Sequence, residues 1–66
     1  LGKREVSGIV LLSDEKLAVV EIPFDLFAGI THGKYVVKTT KKLRKNEKVS
    51  VLIKHSFFRK IPDRVI

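Results

Sequence analysis

Cysteine is absent from this sequence of 66 residues. No disulfide can staple the fold, and no thiolate can ligate a metal. Such a composition is compatible with a reducing compartment. Long hydrophobic runs are missing too. No apolar run is longer than Ile9–Leu12, far too short to cross a bilayer or to form the core of a signal peptide. The chain begins at Leu1 rather than Met, as a trimmed start, a cleaved targeting peptide or an incomplete chain would. Acidic residues are scarce in the second half. Residues 34–66 hold only Glu47 and Asp63 against eleven Lys and Arg, a net +9. Residues 1–33 carry five acids and three bases, a net −2.

Hydrophobic residues make up 44% of the chain, which indicates a folded rather than a disordered protein. The length allows one domain, residues 1–66, with a small core. The one-sided charge is the footprint of a protein that meets a polyanion. A solvating role for the same charge is the plainer alternative.

The periodicity is that of strands. Val6–Leu12 is β-branched and aliphatic and runs into the turn-forming pair Ser13-Asp14. Leu17–Ile22 is a second strand, and the residues between fit a hairpin loop. Gly8, inside the first strand, marks a bulge or bend. Pro23 ends the second strand because it has no N–H to donate. Pro23 to Gly33 is the least regular stretch, in which Phe24 and Phe27 are expected to plug the core. In Lys34–Thr40, Tyr35 and Val37 are expected inward, with Lys34 and Lys38 outward. In Val49–His55, Val49, Val51 and Ile53 share a face. Phe57 and Phe58 would point to opposite sides if that strand continued, one in and one out. Arg64–Ile66 is a candidate short fifth strand. Four or five short strands with no convincing helix indicate an all-β, small barrel, whose closure removes free sheet edges.

Signatures of catalysis or metal binding are few. His32 and His55 lie 23 residues apart with no second ligand at metal spacing. Ser13, His32 and Asp25 could be drawn as a triad, but no nucleophile elbow surrounds the serine. The glycines match neither a phosphate loop nor a dinucleotide fingerprint. The expectation is a protein that is not an enzyme, with no cofactor, no metal and no small-molecule substrate.

The basic residues are organised. GKYVVKTTKKLRKN, Gly33 to Asn46, holds six Lys and Arg and no acid. Lys41, Lys42, Arg44, Lys45 and Lys48 fall in the connection after the third strand, where a loop can approach an irregular partner. Thr39 and Thr40 add hydroxyl donors for phosphate oxygens. Arg59 and Lys60 follow Phe57 and Phe58, an arrangement suited to stacking on an unpaired base. Without a recognition helix for a major groove, folded RNA is a better partner than DNA.

Several segments resemble one family. SGIVLLSDEKLAVVEI is similar to the first hairpin of the small-subunit ribosomal protein seventeen family of bacterial type. GKYVVKTTKKL resembles that family's G-K-Y-V-x-x-T-x-K-L segment, and EKVSVLI stands where the family has a G-D-x-V-x-I strand. The resemblance covers most of the chain. It implies a five-stranded OB-fold barrel that binds small-subunit ribosomal RNA early in assembly, beside neighbouring ribosomal proteins and away from membranes. Matching positions make Lys16, Lys34, Tyr35, Lys38, Thr39, Thr40 and Lys41 RNA contacts, and place Lys60 on the lysine of the family's S-K-T-K tail. The chain departs from the family in four places. The family's H-P-x-Y before G-K-Y is here Ile30-Thr31-His32 with no matching Pro, the acidic A-H-D loop is the shorter, basic LRKNEK, the Gly-Asp before the fourth strand is Lys48-Val49, and the tail motif is Arg59-Lys60-Ile61-Pro62. Such drift fits a mitochondrial or plastid ribosome better than a bacterial cytoplasm, although a reduced genome would give it too. A second OB-fold resemblance is to bacterial initiation factor one, through Lys42-Leu43-Arg44-Lys45-Asn46 and Lys48-Val49-Ser50-Val51. It leaves Pro23 to Thr39 unaccounted for. A protein-interaction barrel with incidental charge is the remaining alternative.

Overall fold

A computed structural model describes residues 3–57 and 59–66. It contains five strands: β1 (Glu5–Ser13), β2 (Leu17–Ile22), β3 (Gly33–Lys38), β4 (Lys48–Ser56) and β5 (Arg59–Val65). They close in the order β1-β2-β3-β5-β4, and no helix occurs among the described residues. β1 pairs antiparallel with both β2 and β4. β2 pairs antiparallel with β3, and β5 with β4. The closing contact is parallel, between β3 and β5 at Lys38 and Arg64. This is a small five-stranded barrel, as expected from the strand pattern, with the OB-fold shape that the family resemblance implied.

Alternation decides which residues turn inward. Val6, Gly8 and Val10 of β1 face in, as do Ala18, Val20 and Ile22 of β2. Val37 is buried on β3 and Val51 on β4, while Tyr35, Val49, Ile53 and Val65 pack against them part-exposed. The inward face expected for β3 is therefore the observed one, and Val49, Val51 and Ile53 share a face of β4, the one that packs on the core. Burying each of these valines and isoleucines stabilises the fold by about 1.5–3 kcal/mol.

Four expectations need correction. The β1 bulge is at Leu11, not Gly8: Val10 pairs with Val20 but Leu12 pairs with Val19. The extra residue reverses the alternation, so Leu12 points outward and Ser13 turns inward. Gly8 serves close approach instead. A Cβ there would lie 3.3 Å from both the Glu21 carbonyl oxygen and Ile22 Cγ1. Second, Phe24 and Phe27 do not plug the core and are 63% and 75% exposed. A five-stranded barrel has a narrow interior filled by valine, isoleucine and alanine, and the β2–β3 connection contributes Ala28 and Ile30 to it. Third, β5 is longer than expected and passes through Pro62. The proline sits where the register with β4 shifts, Ile53 pairing with Pro62 and Leu52 with Arg64, so its missing N–H breaks no ladder. Fourth, β4 stops at Ser56, and Phe57 lies in the turn with φ of 50° and is 91% exposed. Its expected partner in alternation, Phe58, lies outside the described residues.

Candidate nucleic-acid interface

The β1–β2 turn and the β3–β4 connection meet at one mouth of the barrel. Asp14 shapes the first. Its Oδ1 accepts the backbone N–H groups of Lys16 (2.7 Å) and Leu17 (2.8 Å), and these bonds hold its carboxyl below the ordinary aspartate range. The Lys16 carbonyl then accepts from the Thr39 N–H at 2.9 Å, which ties the turn to the end of β3.

Residues 39–47 cross the mouth and are pinned at several points. Thr39 Oγ1 donates to the Lys41 carbonyl at 2.9 Å. Leu43 is the single apolar residue of KKLRKNEK, and it is 6% exposed, inserted into the core. Its N–H donates to Ser13 Oγ at 3.0 Å, the side chain that the Leu11 bulge turned inward. A tight turn follows, with the Glu47 N–H donating to the Arg44 carbonyl at 3.1 Å and Asn46 at φ of 70°. Asparagine tolerates that left-handed conformation better than most residues. Asn46 N–H donates to the Val10 carbonyl (2.7 Å), and Val10 N–H donates to the Glu47 carbonyl (2.9 Å). The connection thereby extends the β1–β4 ladder.

This scaffold carries bases outward. Lys41, Lys42, Arg44 and Lys45 are all exposed and border one concave surface together with Asn46 and Glu47. Lys42 also borders the adjoining hollow with Ser13, Asp14, Glu15 and Lys16, so Lys16 belongs to the same basic end. The acids there are partly committed: Asp14 to the turn, and Glu47 Oε1 to the Arg44 N–H at 3.1 Å. Among the described residues, none of Lys16, Lys41, Lys42, Arg44, Lys45 and Lys48 forms an ion pair. Water, rather than protein carboxylate, is what a phosphate would displace.

Lys38 differs. It is outward, as expected, but its Nζ lies 3.9 Å from Asp63 Oδ1. Arg64 also donates to Asp63, at 3.0 Å. That hydrogen bond, with the nearby Lys38 charge, holds the Asp63 carboxyl low. An exposed pair of this kind is weak, so Lys38 competes for phosphate from a partly neutralised position. Thr40 is exposed and Thr39 half-buried at the start of the connection.

Lys34, Tyr35, Arg59 and Lys60 are not part of this end. Lys38 pairs with Arg64, and Tyr35 and Lys60 lie three and four residues back along their strands, roughly 10–13 Å away at strand rise. They belong to the opposite mouth, with the β2–β3 connection. The expected interface is therefore two groups of residues. The sequence reading also missed the struts of the first group. Ser13, Asp14 and Leu43 hold the basic connection without carrying its charge, and the lone leucine in a basic run was the available signal.

The residues considered for a triad are each engaged elsewhere. Ser13 Oγ donates to the Asp14 carbonyl at 2.8 Å. His32 Nε2 is 2.9 Å from Glu21 Oε2. Asp25 accepts from Lys3 Nζ at 2.7 Å and from the Ala28 N–H at 3.1 Å, contacts that lower its pKa. The outer face of β1–β3 is unexpectedly apolar, with Leu12, Val19 and Val36 in register across three strands.

The fold and this surface define a small barrel with one basic, pre-shaped mouth. No family model, curated protein or solved structure matches the chain.

Proposed function

We propose that this chain is an RNA-binding OB-fold protein, a structural component of the small ribosomal subunit that holds small-subunit ribosomal RNA and supports its assembly. The observation that carries this reading is the pinned basic connection from Thr39 to Glu47. Leu43 and the backbone bonds to β1 fix its path, so its bases are presented with little ordering cost on binding. Lys16, Lys41, Lys42, Arg44 and Lys45 gather at one mouth without ion pairs among the described residues, which favours a phosphate backbone over a diffuse solvating role. Barrels of this shape commonly bind oligonucleotides through strands two and three and the loops after strands one and four. Lys16, Lys34 and Lys38 occupy those places, and Arg59 and Lys60 open β5 directly after the second of those loops. The resemblance of GKYVVKTTKKL to the ribosomal protein seventeen family narrows the partner to small-subunit ribosomal RNA, with neighbouring ribosomal proteins around it and a mitochondrial or plastid ribosome as its location.

The mechanism is charge neutralisation and shape recognition. The lysines and Arg44 replace counterions on adjacent phosphates, and the release of those counterions drives binding. If about five side chains each neutralise a phosphate, log affinity falls with log salt at a slope near −4. Filter binding of a small-subunit ribosomal RNA fragment across a salt series measures that slope, and a flat response refutes the reading. Co-sedimentation separates a resident component from a reversible factor. A resident component stays with subunits washed in high salt, whereas release would favour the initiation-factor alternative.

A further inference from the structure

Tyr35 stands far from Arg59 and Lys60 in the sequence, but the parallel pairing of β3 and β5 brings them to one cleft at the mouth opposite the basic connection. The cleft encloses about 300 Å³, the lower end of the range for ligand pockets. That is room for one planar group and little more. Its floor includes Ile30 and Pro62, both buried.

Each wall is prepared. Tyr35 Oη donates to the Thr31 carbonyl at 2.6 Å and lies 3.3 Å from Thr31 Oγ1. The ring lies alongside Gly33, whose added Cβ would meet Tyr35 Cε2 at 3.5 Å. Gly33 therefore packs against one face of the ring near its hydroxyl end, and the hydrogen bond to Thr31 fixes its tip. On the other side, Gly29 has a φ of 70°, and a Cβ there would lie 3.3 Å from Lys60 Cδ. The lysine stem crosses the glycine and carries its ammonium to the rim. Arg59 borders the same cleft, no acid does, and neither base forms an ion pair among the described residues.

We propose that this cleft binds one unpaired nucleotide of RNA, the base stacked on Tyr35 and the adjoining phosphates held by Arg59 and Lys60. This rests on the RNA-binding reading above and adds a second, single-stranded contact to the phosphate-binding mouth. Aromatic faces accept any base, and a guanidinium or ammonium beside them takes the backbone. Thr31 Oγ1, exposed beside the ring tip, offers a hydrogen bond to a base edge. The exposed Phe57, which the sequence suggested for stacking, does not border the cleft.

The chain has one tyrosine and no tryptophan, so its tyrosine fluorescence reports on this cleft alone. The whole chain is titrated with a short oligouridylate and with a blunt RNA duplex. The oligouridylate is expected to quench tyrosine emission saturably, and the duplex to bind with much less quenching. Arg59→Gln with Lys60→Gln changes exposed residues and is expected to weaken oligouridylate binding about ten-fold with an unchanged circular dichroism spectrum. In filter binding, which needs no tyrosine, Tyr35→Leu is expected to weaken it to a similar degree, the loss of one stacked base, and Tyr35→Phe to retain most of the affinity. Absent quenching, equal quenching by duplex, or unchanged binding in the Arg59/Lys60 variant overturns the proposal. Comparison with Lys41→Gln, Lys42→Gln and Arg44→Gln distinguishes the two readings. If that triple variant loses folded RNA while the cleft variants bind oligouridylate normally, the cleft assignment fails and the RNA reading stands. If the wild-type chain binds neither RNA, both fail.

Discussion

Leu43 and Leu26 are both leucines in connections between strands, yet the same substitution should be costly at the first and nearly neutral at the second. Leu43 is 6% exposed and Leu26 is 71% exposed. Leu43→Ala removes buried methyl groups and leaves a cavity under the basic connection, which costs about 2–5 kcal/mol. A domain of this size has a total stability of roughly 3–10 kcal/mol, so the loss is a large fraction of the whole. At about 4–8 °C per kcal/mol, the midpoint of thermal unfolding should fall by at least 8 °C or so. Leu26→Ala removes atoms that already meet water and should change stability by no more than about 0.5 kcal/mol. Thermal melts followed by circular dichroism compare the two directly. The functional consequence is tested below the variant's melting temperature. Freed of its anchor, the Lys41–Lys45 segment must be ordered on binding, and affinity for ribosomal RNA should fall although no charge has been removed. A Leu43→Ala melt within about 3 °C of wild type would refute the account, because a barrel mouth that tolerates the cavity is not pinned by Leu43.

Three further outcomes follow from the same geometry. Gly8→Ala places a methyl 3.3 Å from the Glu21 carbonyl oxygen and from Ile22 Cγ1, and chemical denaturation should show a loss of about 1–3 kcal/mol. Phe24→Ser with Phe27→Ser alters two exposed rings and should leave the denaturation midpoint nearly unchanged, while a large loss would return these rings to the core. Asp14, Asp25 and Asp63 all have lowered folded-state pKa values, from backbone N–H groups, Lys3 and Arg64 respectively. The stability they add is present above the unfolded aspartate pKa near 4 and is lost as pH falls through the lower folded values. Melting temperature should therefore drop with acidification below about pH 4, and Asp25→Asn, which keeps the acceptor for Ala28 N–H, should reduce that dependence.

The legible part of the fold was the part written in neighbouring residues. Alternation in Lys34–Lys38 and Val49–Ile53 placed Val37 and Val51 inside and Lys34 and Lys38 outside, because side-chain direction along a strand depends only on parity. Parity fails where a bulge intervenes, and nothing in Leu11 announces one. The site divided in the same way. The basic connection was visible as composition, but its struts were not, since Ser13 reaches Leu43 across 30 residues.

Taken alone, the sequence determined an all-β chain and a strong segregation of charge into its second half. Those properties are carried by local pattern and by sums over residues. Tertiary structure decided which apolar residues became core. The aliphatic side chains of Ala28 and Ile30 fill the barrel interior while the rings of Phe24 and Phe27 remain outside, because the interior width is set by strand number and closure. Closure also parted the bases into two groups, Lys16 with Lys41–Lys45 at one mouth and Arg59 with Lys60 beside Tyr35 at the other. Only the pairing of strands distant in the chain can make that division.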